Sequence, residues 1–250
     1  MDLHVPHHAT ESDLPPWGAR QIAIGTGIAI VFLMLILSIS TPIAARMQAE
    51  SAPFLLTGLV ASLCFELVLL IVAVVYTAGA YAGGIALLGW RPRQPGAWLG
   101  WTLTALGVAY VALFAYIALT QIPALHWARP QQNVPSDLFH NRVTLVPAIV
   151  LTVVVAPVCE ESFFRGFVFN GLRRQLGTPL AATVSGVLFA LAHFSPSLIV
   201  PFTIIGVGFA YAYRHTGTLL ANVTAHAAFN LISVLATLAG ASIWLSLVPR

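Results

Sequence analysis

The chain has 250 residues, 58% of them hydrophobic and only 8% charged, with a net charge of +3. Soluble domains carry about 25% charged residues, so an ordinary soluble globular domain is excluded, and a mean hydropathy of +0.88 puts the chain in a lipid bilayer. The small positive balance falls as single or paired arginines at the ends of apolar runs, a topology signal that leaves no basic patch for nucleic acid. All eleven cations are arginine, a usage that points to a GC-rich bacterial genome.

Residues 1–20 form a polar N-terminal tail holding His4, His7, His8, Asp2, Glu11 and Asp13, expected to be disordered and not a cleavable signal peptide. Residues 21–142 hold three predicted spans, at about Ile22–Ile43, Phe54–Tyr81 and Trp98–Ile122, each near the ~20 residues that cross a bilayer core. The stretch Pro123–Asn141 reads as an extramembrane loop with a short interfacial helix around Trp127. Residues 143–238 hold four more spans. The first starts near Val143 and runs past Arg165 to Arg173-Arg174, where Gly177-Thr178-Pro179 breaks it. The others are about Leu180–Phe194, Leu198–Tyr213 and Leu219–Leu238, and an apolar segment, 239–250, closes the chain as an eighth short span or an interfacial piece. The expected fold is all-α, a polytopic transmembrane bundle of about seven to eight spans. With the N-terminus inside, Arg20, Arg91, Arg93, Arg173, Arg174 and Arg214 fall on the cytoplasmic side and Arg46, Arg129 and Arg142 outside. Localisation is therefore read as a multi-pass protein of a bacterial inner membrane. Cys64 and Cys159 lie in apolar runs without metal or disulfide spacing and read as small buried hydrophobes.

The chemistry concentrates at Glu160-Glu161-Ser162-Phe163-Phe164-Arg165. Ionisable groups cost about 2.5–3.5 kcal/mol each at a helix centre in the membrane, so three together in an apolar run mark a site. On a helix Glu161 and Arg165 are i,i+4 neighbours that can pair, which leaves Glu160 about 100° around the axis to face something else. His193 ends Phe189-Ala190-Leu191-Ala192-His193, and His226 and Asn230 share one face of the last span at i,i+4. A lone membrane histidine is usually an interhelical hydrogen bond; two, with an asparagine and a glutamate pair, suggest hydrolysis. Glu160 and His193 could hold and deprotonate a water while His226 and Asn230 donate to the oxyanion. Alternatively Glu160, His193 and His226 could bind a divalent metal such as zinc that activates the water; no dense ligand cluster is evident, and a metal-free site is preferred.

Glu160-Glu161-x-x-x-Arg165, Phe189-x-x-x-His193 and His226-x-x-x-Asn230, in that order on successive spans, resemble the CAAX-endopeptidase and bacteriocin-processing (CPBP or Abi) intramembrane proteases. The resemblance covers about Val143–Leu235, with Gly217 in a further block, and leaves the N-terminal spans without a signature. It implies a helical-bundle peptidase of glutamic or metallo type, with Glu160 as the water-activating group assisted by His193. Glu161 and Arg165 order the site, and His226 with Asn230 stabilise the oxyanion. The implied partner is a peptide or protein substrate, membrane-anchored in the family's eukaryotic members. Other intramembrane hydrolases fit less well, for there is no H-E-x-x-H or G-x-S-x-G, and Asp2, Asp13 and Asp137 lie outside the spans. Two non-catalytic classes compete: a silent immunity or scaffold protein of the same fold, and a proton-coupled transporter relaying through Glu66, Glu160 and His193. A transporter should carry an inverted repeat, and none is visible. Glu66, mid-span and outside the motif, reads as a polar anchor to a neighbouring helix.

Overall fold

A computed structural model describes residues 15–131 and 134–240. The described residues form an all-α bundle, in which six helices are long and apolar enough to cross a membrane. Helices α1 (Ala19–Ala44) and α2 (Ala52–Tyr76) make an antiparallel pair. A 3₁₀ turn, Gly84–Leu88, leads to α3 (Pro95–Leu119), and the following loop carries a second 3₁₀ turn, Pro123–Ala128, and the short α4 (Asp137–His140). The interfacial turn expected around Trp127 is present, with Trp127 projecting from it 83% exposed.

A continuous helical stretch, Leu145–Leu191, comes next. Its 47 residues would reach about 70 Å at 1.5 Å per residue, more than twice the ~30 Å of a bilayer core. Gly177 resolves the excess: its φ of 71° and ψ of 167° lie outside the helical region, in the left-handed half that favours glycine. Beyond it the chain folds back, so that Ser185 Oγ donates to the Phe164 carbonyl at 2.7 Å and the Phe164 and Phe189 rings meet edge-on at 5.5 Å. The stretch is thus two legs, and the sequence's Gly177-Thr178-Pro179 break is where the hairpin turns. Helices α8 (Ile199–Thr216) and α9 (Leu219–Leu238) complete the bundle. The returning leg packs on α8, and α3 packs on both α8 and α9.

The first leg is not uniformly α-helical. It passes through α5 (Leu145–Val150), a π-helical run Leu151–Val155, α6 (Ala156–Glu160) and a second π run, Glu161–Phe169, before α7 (Asn170–Leu191). The nine residues of the second run are all buried, and Phe163, Phe164, Phe167 and Phe169 form the centre of the core. By contrast α1 exposes Ile30, Val31, Phe32, Met34, Leu35 and Ile39, an apolar outer surface suited to lipid.

Three expectations change at the margins. The polar tail does not run to residue 20: residues 1–14, with their histidines, lie outside the described residues, but Trp17 is 2% exposed and its indole N–H donates to the Phe167 carbonyl at 2.9 Å. Its ring stacks on Phe167, which draws the chain into the core before α1 begins. The second span stops at Tyr76 instead of Tyr81. Cys159 is buried as expected, but Cys64 is exposed on the outer face of α2. Most of the closing segment 239–250 falls outside the described residues.

Candidate active site

The site begins with a missing proton. In the π run Leu151–Val155 the main chain bonds five residues apart, as when Ala156 N–H donates to the Leu151 carbonyl. The next donor in that register would serve the Thr152 carbonyl, but it belongs to Pro157, which has no N–H. The carbonyl is satisfied from another helix: Asn230 Nδ2, on α9, donates to Thr152 O at 2.7 Å. This bond brings α9 against the first leg and lays His226, one turn earlier, beside Glu161.

Glu161 receives two donors on one oxygen. Arg165 Nη1 and His226 Nδ1 each lie 3.0 Å from Glu161 Oε1, and both Glu161 and Arg165 are fully buried. The guanidinium is also held from outside its helix. Its Nη2 donates to the Gly206 carbonyl at 3.5 Å, and its plane lies over the Phe189 ring at 4.4 Å with Phe209 at 5.2 Å. Phe189 is a hub, for its ring also contacts His193 at 4.7 Å and His226 at 5.8 Å. Buried ions persist only with such compensation.

The hydrogen bonds fix the state of each imidazole. His193 Nδ1 lies 2.8 Å from the Phe189 carbonyl; a carbonyl only accepts, so Nδ1 carries the hydrogen and a neutral His193 keeps its lone pair on Nε2. Likewise His226 Nδ1–H donates to the Glu161 carboxylate, and its Nε2 can donate only when the ring is an imidazolium. Asn230 has one of its two amide hydrogens engaged by Thr152, which leaves one.

Glu160, His193, His226 and Asn230 all line a single cavity of about 500 Å³, having arrived from the first leg, the returning leg and α9. Its remaining wall is largely apolar, with Leu59, Leu113, Leu151, Phe202 and Phe229, and it extends to Ser136, His140 and Thr237 at the end of the bundle near α4. Glu161 and Arg165 stand behind this wall. No group of three His, Cys, Asp or Glu side chains among the described residues is placed to hold a metal ion.

Glu66 is the participant that the sequence reading set apart as an anchor. From α2 it lines the same cavity, is 8% exposed, and brings its carboxyl close to that of Glu160. A charged residue mid-span was its only signal, and the sequence joined it to Glu160, 94 residues later, only in the transporter alternative.

The first leg, the returning leg and α9, which carry the cavity's polar side chains, lie in a stretch similar to known proteins. Residues 142–232 match a family model described as type II CAAX prenyl endopeptidase Rce1-like. A Bacillus subtilis (strain 168) protein named "Putative membrane peptidase YdiL" is 24% identical over 134 residues, 53% of this chain and 55% of that protein. An uncharacterized protein of Mycoplasma capricolum is 34% identical over 101 residues, 39% of this chain and 29% of that protein. The chain therefore spans about half the length of the first relative and under a third of the second. No solved structure matches it. Three motifs in order fall inside the matched segment, a helical membrane bundle surrounds them, and one relative is named as a putative membrane peptidase; in residues 142–232 the chain is similar to the Rce1-like CAAX-type peptidases.

Proposed function

We propose that the chain is an intramembrane endopeptidase that cleaves a peptide bond with a water activated by Glu160 and His193. The observation that carries this reading is convergence. Independent interhelical hydrogen bonds have no reason to aim four polar side chains from three helical legs into one cavity, and here they share its wall.

The chemistry follows from the donors and acceptors. A water between Glu160 and His193 Nε2 meets two acceptors, so both its hydrogens are held and its oxygen lone pair is presented to a carbonyl carbon. Glu160 takes one proton as the oxygen adds, giving a tetrahedral oxyanion. The free amide hydrogen of Asn230 and the Nε2–H of a protonated His226, held by Glu161, donate to that oxyanion. Glu160 then passes its proton to the leaving amine as the C–N bond breaks, which yields an acid and an amine and restores the carboxylate. No step needs a metal ion.

The cavity opens at the end of the bundle formed by α4 and the C-terminus of α9. Arg20, Arg91, Arg93, Arg173, Arg174 and Arg214 lie toward the opposite end. With those arginines cytoplasmic, the peptide enters from the outer face of a bacterial inner membrane, and the apolar wall suits a substrate tethered to the bilayer.

Glu160→Gln tests the mechanism. The amide keeps the shape without the basicity, so the purified variant should unfold at the wild-type temperature in detergent and lose about 10²–10⁴ in hydrolysis of a membrane-anchored peptide. Wild-type turnover in Glu160→Gln overturns the proposal.

A further inference from the structure

The protonation of the buried cluster is constrained by its count. Three carboxylates, Glu66, Glu160 and Glu161, are enclosed with one permanent cation, Arg165, and with His226, which is charged only when its Nε2 also carries a proton. Glu161 and Arg165 neutralise each other, which leaves Glu66 and Glu160 against each other in an apolar setting, where two full negative charges are heavily disfavoured. Neither contacts a cation of its own: the groups facing them are Cys159 beside Glu160, His193 at the end of the returning leg, His226 on α9, Arg165 behind Glu161, and Tyr110 from α3. Residues 25–39 of α1 contribute no ionisable side chain. Two ionised carboxylates are both acceptors only, so these two can hydrogen-bond only when one proton lies between them.

A second cavity gives the pair its setting. It measures about 280 Å³, is lined by Leu33, Ile36 and Leu37 of α1 and Phe65 of α2, and shares Glu66, Glu160 and His193 with the larger one. Glu66 thus stands where the two cavities meet. Glu66 Oε2 and Glu160 Oε2 are both buried without a protein partner, the condition of carboxyls whose remaining oxygens serve something other than the protein wall.

We propose that Glu66 is a positioning residue for the peptidase reaction: its protonated carboxyl donates to Glu160, keeps the pair at a single negative charge, and turns the other Glu160 oxygen toward the water shared with His193. The proposal rests on the protease reading. The assignment extends the working site to α2, outside the 142–232 segment that matches the family.

The test compares two variants and one spectrum. Glu66→Gln retains an N–H donor for Glu160, whereas Glu66→Leu removes the donor while filling the space. Glu66→Leu should lower kcat roughly ten- to a hundredfold, the worth of one hydrogen bond to a charged group, with KM unchanged, and Glu66→Gln should restore most of kcat. Equal, wild-type kcat in both variants overturns the role, as does an equal loss in both when each unfolds at the wild-type temperature. The infrared spectrum of the wild type should contain a protonated-carboxyl C=O band that Glu66→Gln lacks. Its absence from the folded wild type refutes the shared proton even if Glu66→Leu fails to fold. A wild type that cleaves no peptide yet shows the band refutes the protease reading and leaves the shared proton standing.

Discussion

At the scale of the residue, Arg165 decides whether the site holds together. It is fully buried, and its fork serves Glu161 and the Gly206 carbonyl while its face lies over Phe189. Arg165→Ala would leave the buried Glu161 with His226 as its remaining donor and no guanidinium, and breaking a buried pair typically costs about 3–5 kcal/mol. The expected outcome is a lower unfolding temperature in detergent together with loss of hydrolysis, because His226 loses the fixed carboxylate that orients it. Arg165→Lys should not rescue, since an ammonium can neither reach two acceptors in one plane nor stack on a ring. Wild-type stability and rate in either variant would show the pair to be dispensable. The Glu161–Arg165 pair was legible because i,i+4 spacing is local. The His226–Glu161 bond was not, because its partners are 65 residues apart and only the packing of α9 introduces them. Phe189 was visible as motif spacing, but its place among Arg165, His193 and His226 could not be told from that of any core phenylalanine.

At the scale of the element, the returning leg and α8 meet through two glycines. A Cβ on Gly206 would lie 2.6 Å from the Gly186 Cα, a backbone atom that cannot move aside without parting the helices. Gly206→Ala should therefore destabilise by about 1–3 kcal/mol, as overpacking does. It should also reduce activity, since the Gly206 carbonyl holds Arg165. Gly107→Ala on α3, where a Cβ meets nothing within 4 Å, is the control and should be neutral or slightly stabilising in the same thermal assay. The long helices were legible from run length alone: α9 matches the expected Leu219–Leu238, and α1 and α3 match to within three residues. The π runs were not foreseen. Their cue lay in Pro157, inside an otherwise helical apolar run, but a proline there signals only a lost hydrogen bond and says nothing of which donor replaces it.

At the scale of the whole molecule, composition carried the fold class, and the arginine distribution supports the proposed orientation, in which the cavity faces outward. A cysteine at Gln48, in the exposed turn between α1 and α2, should react with a membrane-impermeant maleimide on intact cells. A cysteine at Gln94, beside the arginine-rich end before α3, should react only after permeabilisation. The reverse pattern would turn the cavity toward the cytoplasm. Convergence of the site was legible only as a requirement: the sequence named side chains that had to meet, while their meeting depends on a hairpin at Gly177 and on α9 docking against the first leg.

That docking has an evolutionary corollary. Pro157 and Asn230 need not touch, yet the vacancy left by one is filled by the other, through the Thr152 carbonyl. The two positions are therefore coupled in their effect on stability. A lineage that replaces Pro157 regains a main-chain donor and releases Asn230 from its structural duty, and a lineage that loses Asn230 first is left with an unsatisfied carbonyl inside a membrane. Loss of Asn230 should therefore cost less stability where Pro157 has already been replaced, though the donor proposed for the oxyanion is lost either way.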